Sequence, residues 1–249
     1  MGLFDFLHRK EKPLGHDIDL GVLRTDIHSH LIPGIDDGAR DLETSLSLLR
    51  ELEGLGYRKV ITTPHVKSEV FPNDVRKLDL LCRDLRRHAS EAGIGLDIEV
   101  GAEHFIDDSF MQRIEEGDLK TFGDNYLLVE LPFYAAPFGL EEILFDLQIN
   151  GYRLVLAHPE RYLYWADDFS RFTSLKDRGI LFQMNIMSFS LYFGKPVLDL
   201  ARRLIENNMV ELLGSDTHHQ KHIEAIKEAL HSPLLDKLIQ SGNIINSKF

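Results

Sequence analysis

The sequence predicts a single α/β domain in which parallel strands alternate with helices. Three observations predict it. Seven short apolar runs are separated by stretches with helical spacing. Six of the runs end on His, Asp or Glu, at the carboxyl ends where parallel α/β folds bind ligands. No Gly-x-Gly-x-x-Gly or Gly-x4-Gly-Lys-Ser/Thr loop follows the first run, which argues against a nucleotide fold. The pattern fits both a closed barrel and an open, doubly wound sheet.

The first run takes Val22, Leu23 and Ile27 and ends on Asp26-Ile-His-Ser-His30. Two histidines two apart on a strand point to one side. The Pro/Gly-punctuated loop 31–38 follows, and Asp41 is placed to cap a helix carrying Leu42, Leu46, Leu49 and Leu52. The second strand, Lys59–Thr63, ends on Pro64-His65; Asn73 is expected to cap a long helix up to Gly93 or Gly95. The third strand, Leu96–Gly101, ends on Glu103-His104, and a short helix spans 109–116. The fourth, Tyr126–Glu130, is closed by Pro132 and followed by a helix over 140–150. The fifth, Arg153–Ala157, ends on His158-Pro-Glu-Arg161, with a helix near 168–178. The sixth, Ile180–Asn185, offers only Gln183 and Asn185, which are poor ligands. A helix over 196–208 leads to the seventh, Met209–Leu213, ending on Gly214-Ser-Asp-Thr-His218, with a last helix near 222–230.

Composition sets the limits. A chain of 249 residues with 43% hydrophobic content can bury one large core, and 27% charged residues do not suggest disorder. The net charge of −12 disfavours nucleic acid or an anionic membrane as a general partner. The one cysteine, Cys82, excludes a disulfide framework and fits a reducing cytoplasm; its place in a helical pattern makes it packing. Residues 1–6 are too short an apolar stretch for a secretion signal, and the myristoylation pattern at Gly2 is incomplete. Residues 1–20 read as a mobile or surface-docked tail ahead of a domain over 21–249, and stable membrane insertion is not expected.

Nine groups converge on the strand ends: His28, His30, Asp37, His65, Glu103, Glu130, His158, Asp216 and His218. Singly, each reads as a cap or a solvated polar residue. Together and unpaired they would repel or be desolvated at several kcal/mol each, which divalent cations would resolve. Oxygen and nitrogen donors without thiolate suit Mn(II), Zn(II), Fe(II) or Co(II), and nine ligands call for two or three ions. Three such ions would leave the site net positive against four carboxylates and attractive to a dianionic phosphate. A water bridging them has a lowered pKa. The chemistry implied is metal-assisted hydrolysis of a phosphate ester.

Asp26-Ile-His-Ser-His30, Asp36-Asp-Gly38, Thr63-Pro-His65, Gly101-Ala-Glu103, Val129-Glu-Leu131, Ala157-His-Pro-Glu-Arg-Tyr162 and Gly214-Ser-Asp-Thr-His218 resemble the motifs of the PHP (polymerase and histidinol phosphatase) superfamily. Their order is most similar to its bacterial capsule/exopolysaccharide branch, the manganese-dependent protein-tyrosine phosphatases, over roughly residues 22–230. The resemblance implies a distorted (β/α)7, TIM-like barrel with a trinuclear centre. By motif, the first ion would take His28, His30, Glu103 and Asp216; the second Glu103, Glu130 and His158; the third Asp37, His65 and His218. It also implies a partner: the phosphotyrosine tail of a membrane-bound tyrosine autokinase, which could recruit the protein to the inner membrane face.

Arg161 can fork onto phosphoryl oxygens, the alternative being an ion pair with Glu160 or Asp167. Lys221 is a second candidate cation. Phe133, Tyr134 and Phe138, with Tyr162, Tyr164 and Trp165, can form an aromatic wall for a phosphotyrosine ring or simply pack the loops. A small-molecule phosphatase of the histidinol-phosphate type and a non-catalytic module binding a phosphorylated tail are the competing readings. The absence of long insertions after the strands favours an open, peptide-accepting mouth. Self-association stays open.

Overall fold

The computed structural model describes residues 13–249. Among these residues, nine parallel strands form two open sheets. The first has the order β1 (Thr25–Asp26), β2 (Lys59–Thr62), β4 (Asp97–Val100). The second runs β3 (His65–Val66), β5 (Glu103–Phe105), β6 (Tyr126–Glu130), β7 (Arg153–Ala157), β8 (Leu181–Asn185), β9 (Leu212–Gly214). Eight helices connect or flank them: α1 (Leu42–Gly54), α2 (Val75–Glu91), α3 (Phe110–Glu116), α4 (Leu140–Ile149), α5 (Ser170–Asp177), α6 (Lys195–Glu206), α7 (Gln220–Ala229) and α8 (Pro233–Gln240).

Two of the seven expected strands are each broken in two. Pro64, which has no N–H to donate, separates β2 from β3. Gly101 and Ala102 separate β4 from β5, and a Cβ on Gly101 would sit 3.1 Å from the Phe122 ring. The second half of each strand changes sheet and carries a candidate ligand, His65 or Glu103. The described residues contain no closed sheet, so the expected strand-to-strand barrel closure is not present. Instead the two sheets meet at a single parallel bridge, Ser29 to Thr217.

Strand parity separates two cores. Leu127 and Val129 of β6 face outward into the large helix-covered cluster. Leu128, with Ile61, Val155 and Leu212, faces inward into a small one that also holds Ile27, Phe122 and Ala157. The inward rows then run on into polar residues: Leu128 to Glu130, Leu181 to Gln183 and Asn185, Leu212 to Gly214 and Asp216. The candidate site is therefore the continuation of the inner core at the carboxyl ends.

Asp41 caps α1 as expected, accepting from Thr44 N at 2.8 Å. The cap of α2 is Asp74 rather than Asn73. Asn73 instead donates to Ile35 O and His65 O, at 2.9 and 2.8 Å, and ties two site loops together. Val22 and Leu23 lie in a 3-10 turn (Leu20–Leu23) rather than a strand, because Asp19 caps that turn through Gly21 N. Residues 13–20 are docked: Leu14 N and Ile18 N donate to His231 O and Leu230 O, and Ile18 and Leu20 are buried. The first twelve residues of the expected tail lie outside the described residues.

Asn246, fully buried, spans the free edges of β9 and β1. It accepts from Leu213 N and donates to Leu213 O and Thr25 O. Asn246→Ala is expected to cost about 3 kcal/mol, since it orphans several buried backbone groups; a urea midpoint unchanged from wild type would contradict that role.

Candidate metal centre

All nine His, Asp and Glu residues singled out in the sequence enter four overlapping groups. These are His30–Asp37–His65–His218, His28–His30–Asp216, His28–Glu103–His158 and His65–Glu103–Glu130, with the donor atoms of each group within 4.8 Å of one another. Glu103 is the hub. Its Oε2 lies 3.4 Å from His28 Nε2, 3.5 Å from His30 Nε2 and 2.9 Å from His65 Nδ1, and its Oε1 lies 3.0 Å from His158 Nε2. Asp216 Oδ1 is 3.5 Å from both His28 Nε2 and His30 Nε2. Asp37 Oδ1 is 3.4 Å from His65 Nε2 and 3.5 Å from His218 Nε2.

These contacts do not satisfy one another. His65 Nδ1 and Glu103 Oε2 are buried and close, but misaligned, and neither has a hydrogen-bond partner. His28 Nε2 and His30 Nε2 face each other at 3.3 Å. Burial and the neighbouring Glu103 carboxylate push Glu130 up to about 8. Buried carboxylates and imidazole nitrogens aimed at one another, with lone pairs unclaimed, suit divalent cations. The residues present therefore fit the metals that the donor chemistry implies.

The imidazoles are oriented from behind. His28 Nδ1 meets Gln183 Oε1 at 2.7 Å, and His30 Nδ1 meets Asp36 Oδ2 at 2.8 Å. Each contact assigns the ring proton to Nδ1 and leaves the Nε2 lone pair for the site. Gln183 Nε2 donates to Asn185 Oδ1 at 2.9 Å, and Asn185 Nδ2 donates to Asp216 Oδ2 at 2.7 Å. β8 thus links two candidate ligands through amides. Asp36 also accepts from His65 N and Gly38 N. Asp26 accepts from Ser215 N and Oγ, both at 2.7 Å, and so holds the loop before Asp216. Asp26, Asp36, Gln183 and Asn185 lie outside the nine candidate ligands that the sequence offers. For the last two a signal existed: they repeat the two-apart spacing of His28 and His30.

Two candidate ligands have left-handed backbones without being glycine, His158 at φ +33° and Asp216 at φ +48°. Strain of this kind concentrates at functional sites. Gly214 permits the close approach beside them. A Cβ there would lie 2.6 Å from Gln183 Nε2 and 2.7 Å from His28 Cβ.

Arg161 stands at the edge of this cluster, its Nη1 4.0 Å from Asp216 Oδ2. It does not pair with Glu160, whose buried carboxylate accepts from Asn185 N and Ser188 Oγ. Lys221 is exposed on α7, and Tyr134 is 84% exposed. Tyr162 departs from its expected place in a substrate wall. It is fully buried, donates to Ala157 O at 2.9 Å and accepts from Leu131 N at 3.0 Å, so it braces β6 against β7. Trp165 and Tyr164 pack beside it, Trp165 edge-on to Phe172 at 5.4 Å. His104 faces away from the ligands and accepts from Lys120 N. His222 Nδ1 lies 2.9 Å from Asp216 O, while His219 is exposed. Tyr162→Phe is expected to destabilise the fold by about 1–3 kcal/mol with KM unchanged; a KM effect without loss of stability would return Tyr162 to the substrate wall.

A family model for capsular polysaccharide synthesis, CpsB/CapC, matches residues 24–232. Tyrosine-protein phosphatase YwqE of Bacillus subtilis (strain 168) is 32% identical over 197 residues, covering 79% of this chain and 78% of that protein. Tyrosine-protein phosphatase CpsB of Streptococcus pneumoniae is 29% identical over 200 residues, covering 78% and 82%. A crystal structure reported for YwqE from Bacillus subtilis and CpsB from Streptococcus pneumoniae, unique metal-dependent tyrosine phosphatases, matches with a TM-score of 0.76. It covers 89% of this chain and 96% of that one at 29% identity. A histidinol phosphate phosphatase from Lactococcus lactis shares the fold, at a TM-score of 0.54 and 15% identity over 83% of this chain and 93% of that one. The chain belongs to the CpsB/CapC family of capsular polysaccharide synthesis.

Proposed function

We propose that the chain is a metal-dependent protein-tyrosine phosphatase, a phosphoric monoester hydrolase. The observation that carries this reading is the convergence of nine His, Asp and Glu side chains, with His65 Nδ1 and Glu103 Oε2 buried without partners, beside one guanidinium. By motif, His28, His30, Glu103 and Asp216 would hold a first ion, Glu103, Glu130 and His158 a second, and Asp37, His65 and His218 a third, with Mn(II) the favoured metal. Bound ions would supply an activated water and neutralise phosphoryl oxygens. Gln183 and Asp36 hold the His28 and His30 rings with their Nε2 atoms forward. Arg161 directs donors at the phosphoryl oxygens as negative charge builds. A tyrosyl leaving group has a pKa of about 10 and needs little protonation, so no side chain is assigned as general acid.

The substrate we favour is the phosphotyrosine tail of a membrane tyrosine autokinase of capsule or exopolysaccharide synthesis, met at the cytoplasmic face. No helix among the described residues is long and apolar enough to cross a membrane. Residues 21–249 form the phosphatase domain. Counting β2 with β3 and β4 with β5, the strands make the seven positions of a distorted barrel, and the Ser29–Thr217 bridge supports its completion.

The test is phosphate release by metal-stripped protein with Mn(II), Zn(II) or Mg(II) restored. Phosphotyrosine peptide and histidinol phosphate are offered side by side. Metal-dependent release from the peptide alone is expected. Release from histidinol phosphate alone would make it a metabolic phosphatase. No release from either with metal bound would make it a binding module.

A further inference from the structure

Strand order puts two aromatic rings around Arg161. β7 lies between β6 and β8, so the turn after β7 is flanked by the loops after its neighbours. The β6 loop supplies Phe133, whose ring centroid is 4.1 Å from the Arg161 guanidinium carbon. The β8 loop supplies Phe193, with its centroid at 4.5 Å. Both rings therefore lie against one guanidinium, carried by the loops on either side of the β7 turn. Ring contact of this kind leaves the N–H donors of a guanidinium for acceptors, and here Nη1 lies 4.0 Å from Asp216 Oδ2.

The backbone beneath is fixed as well. Arg161 N donates to His158 O, and the neighbouring Glu160 carboxylate anchors the turn to Asn185 N and Ser188 Oγ of the β8 side. Phe133 is itself seated, 5.6 Å from the His158 ring and 6.1 Å from Tyr162. An exposed arginine samples many rotamers and must lose that freedom on binding a phosphate. A stacked arginine has already lost it.

We propose that Phe133 and Phe193 are positioning residues that clamp Arg161, aiming its donor edge at the phosphoryl group of the substrate. This rests on the role given to Arg161 under the proposed function. The guanidinium so held keeps only a long ion pair with Asp216, 4.0 Å away, whose Oδ2 already accepts from Asn185 Nδ2. The clamp predicts that the rings act only through the guanidinium.

The experiment uses the full chain loaded with Mn(II). Phe193→Leu keeps an apolar side chain and removes the π face; Phe193→Trp keeps the face; Phe133→Leu does the same as Phe193→Leu on the other side. Each Leu variant is expected to lower kcat/KM for a phosphotyrosine peptide about tenfold, one desolvated cation–π contact. It should weaken binding of inorganic phosphate by calorimetry to a similar extent, with metal content unchanged. Phe193→Trp should restore both. In an Arg161→Ala background, Phe193→Leu should have no further effect. Wild-type kinetics in both Leu variants would overturn the clamp. So would a full additional loss in the Arg161→Ala background, or failure of the Trp variant to rescue. If Phe193→Leu does not fold, Phe133→Leu, at a half-exposed position, carries the same comparison. Arg161→Ala with full activity would overturn the Arg161 role and the clamp together, whereas an impaired Arg161→Ala beside unaffected Leu variants would overturn the clamp alone.

Discussion

Glu103→Gln is expected to empty the metal centre and stop turnover. Glu103 is fully buried, and its two oxygens reach His28, His30, His65 and His158, all within 3.5 Å. Glutamine keeps the volume and one acceptor oxygen, so packing is preserved. What it removes is the charge at the point where the candidate groups overlap. The histidines there would hold like-charged ions with less compensation, and Gln Nε2 would present a donor to lone pairs meant for metal. Loss of several kcal/mol of charge stabilisation lowers kcat/KM by roughly a thousandfold or more. Metal content by mass spectrometry should fall in parallel. His28→Ala and Asp216→Ala should behave the same way. Retention of both metal and turnover by Glu103→Gln would remove Glu103 from the centre of the site.

The parts of the fold that were legible are those with one pattern and no interruption. β6 and β7 are continuous apolar runs bounded by turn residues, and α1 has a capping Asp41 and a leucine stripe. The misreadings come from local chemistry that overrode a pattern. Val22 and Leu23 look like strand, but the Asp19 cap and Arg24 at φ +63° turn the chain there instead. Pro64 and Gly101 sit inside apparent strands and mark the places where each changes sheet. α8 lies beyond the last helix expected from the sequence, although Ser232-Pro233 and the Leu234, Leu235 and Leu238 spacing announce a helix start.

The site divides along chemical lines. Histidines and acids at strand ends have few structural uses in such number, so their convergence could be read. Gln183 and Asn185 are amides, and amides serve equally in caps, turns and ladders; only their contacts to His28 and Asp216 give them meaning. Tyr162 fails for the opposite reason. An aromatic following a ligand motif is equally suited to wall or brace, and the hydroxyl partners decide it.

Loading of the metal-stripped protein is expected to strengthen steeply with pH between about 6 and 9, because ligands must shed protons to bind metal. Burial and the Glu103 carboxylate raise Glu130 to about 8, so it is largely protonated at neutral pH. Burial favours a neutral His28, but the Glu103 and Asp216 carboxylates outweigh it and raise its pKa; for His30 the Asp36 carboxylate does the same. Each proton displaced steepens affinity about tenfold per pH unit. Stability without metal has the opposite slope. An unfolded glutamate gives up its proton near 4.5, whereas folded Glu130 keeps it to about 8, so the folded state binds more protons and loses stability as pH rises across that interval. The raised histidines add the same sign above their unfolded value of 6.5. The lowered acids, Glu103 and Asp216, have finished titrating well below this range, and the buried histidines His104, His158 and His222, lowered to about 4, oppose the slope only up to their unfolded value of 6.5. Metal binding should therefore release protons at pH 7 and fewer at pH 9, seen by calorimetry in buffers of different ionisation enthalpy. The melting-temperature gain from Mn(II) should be larger at pH 9 than at pH 6.5. A gain independent of pH, with no proton release, would mean that the metal sits on groups already deprotonated, away from Glu130, His28 and His30.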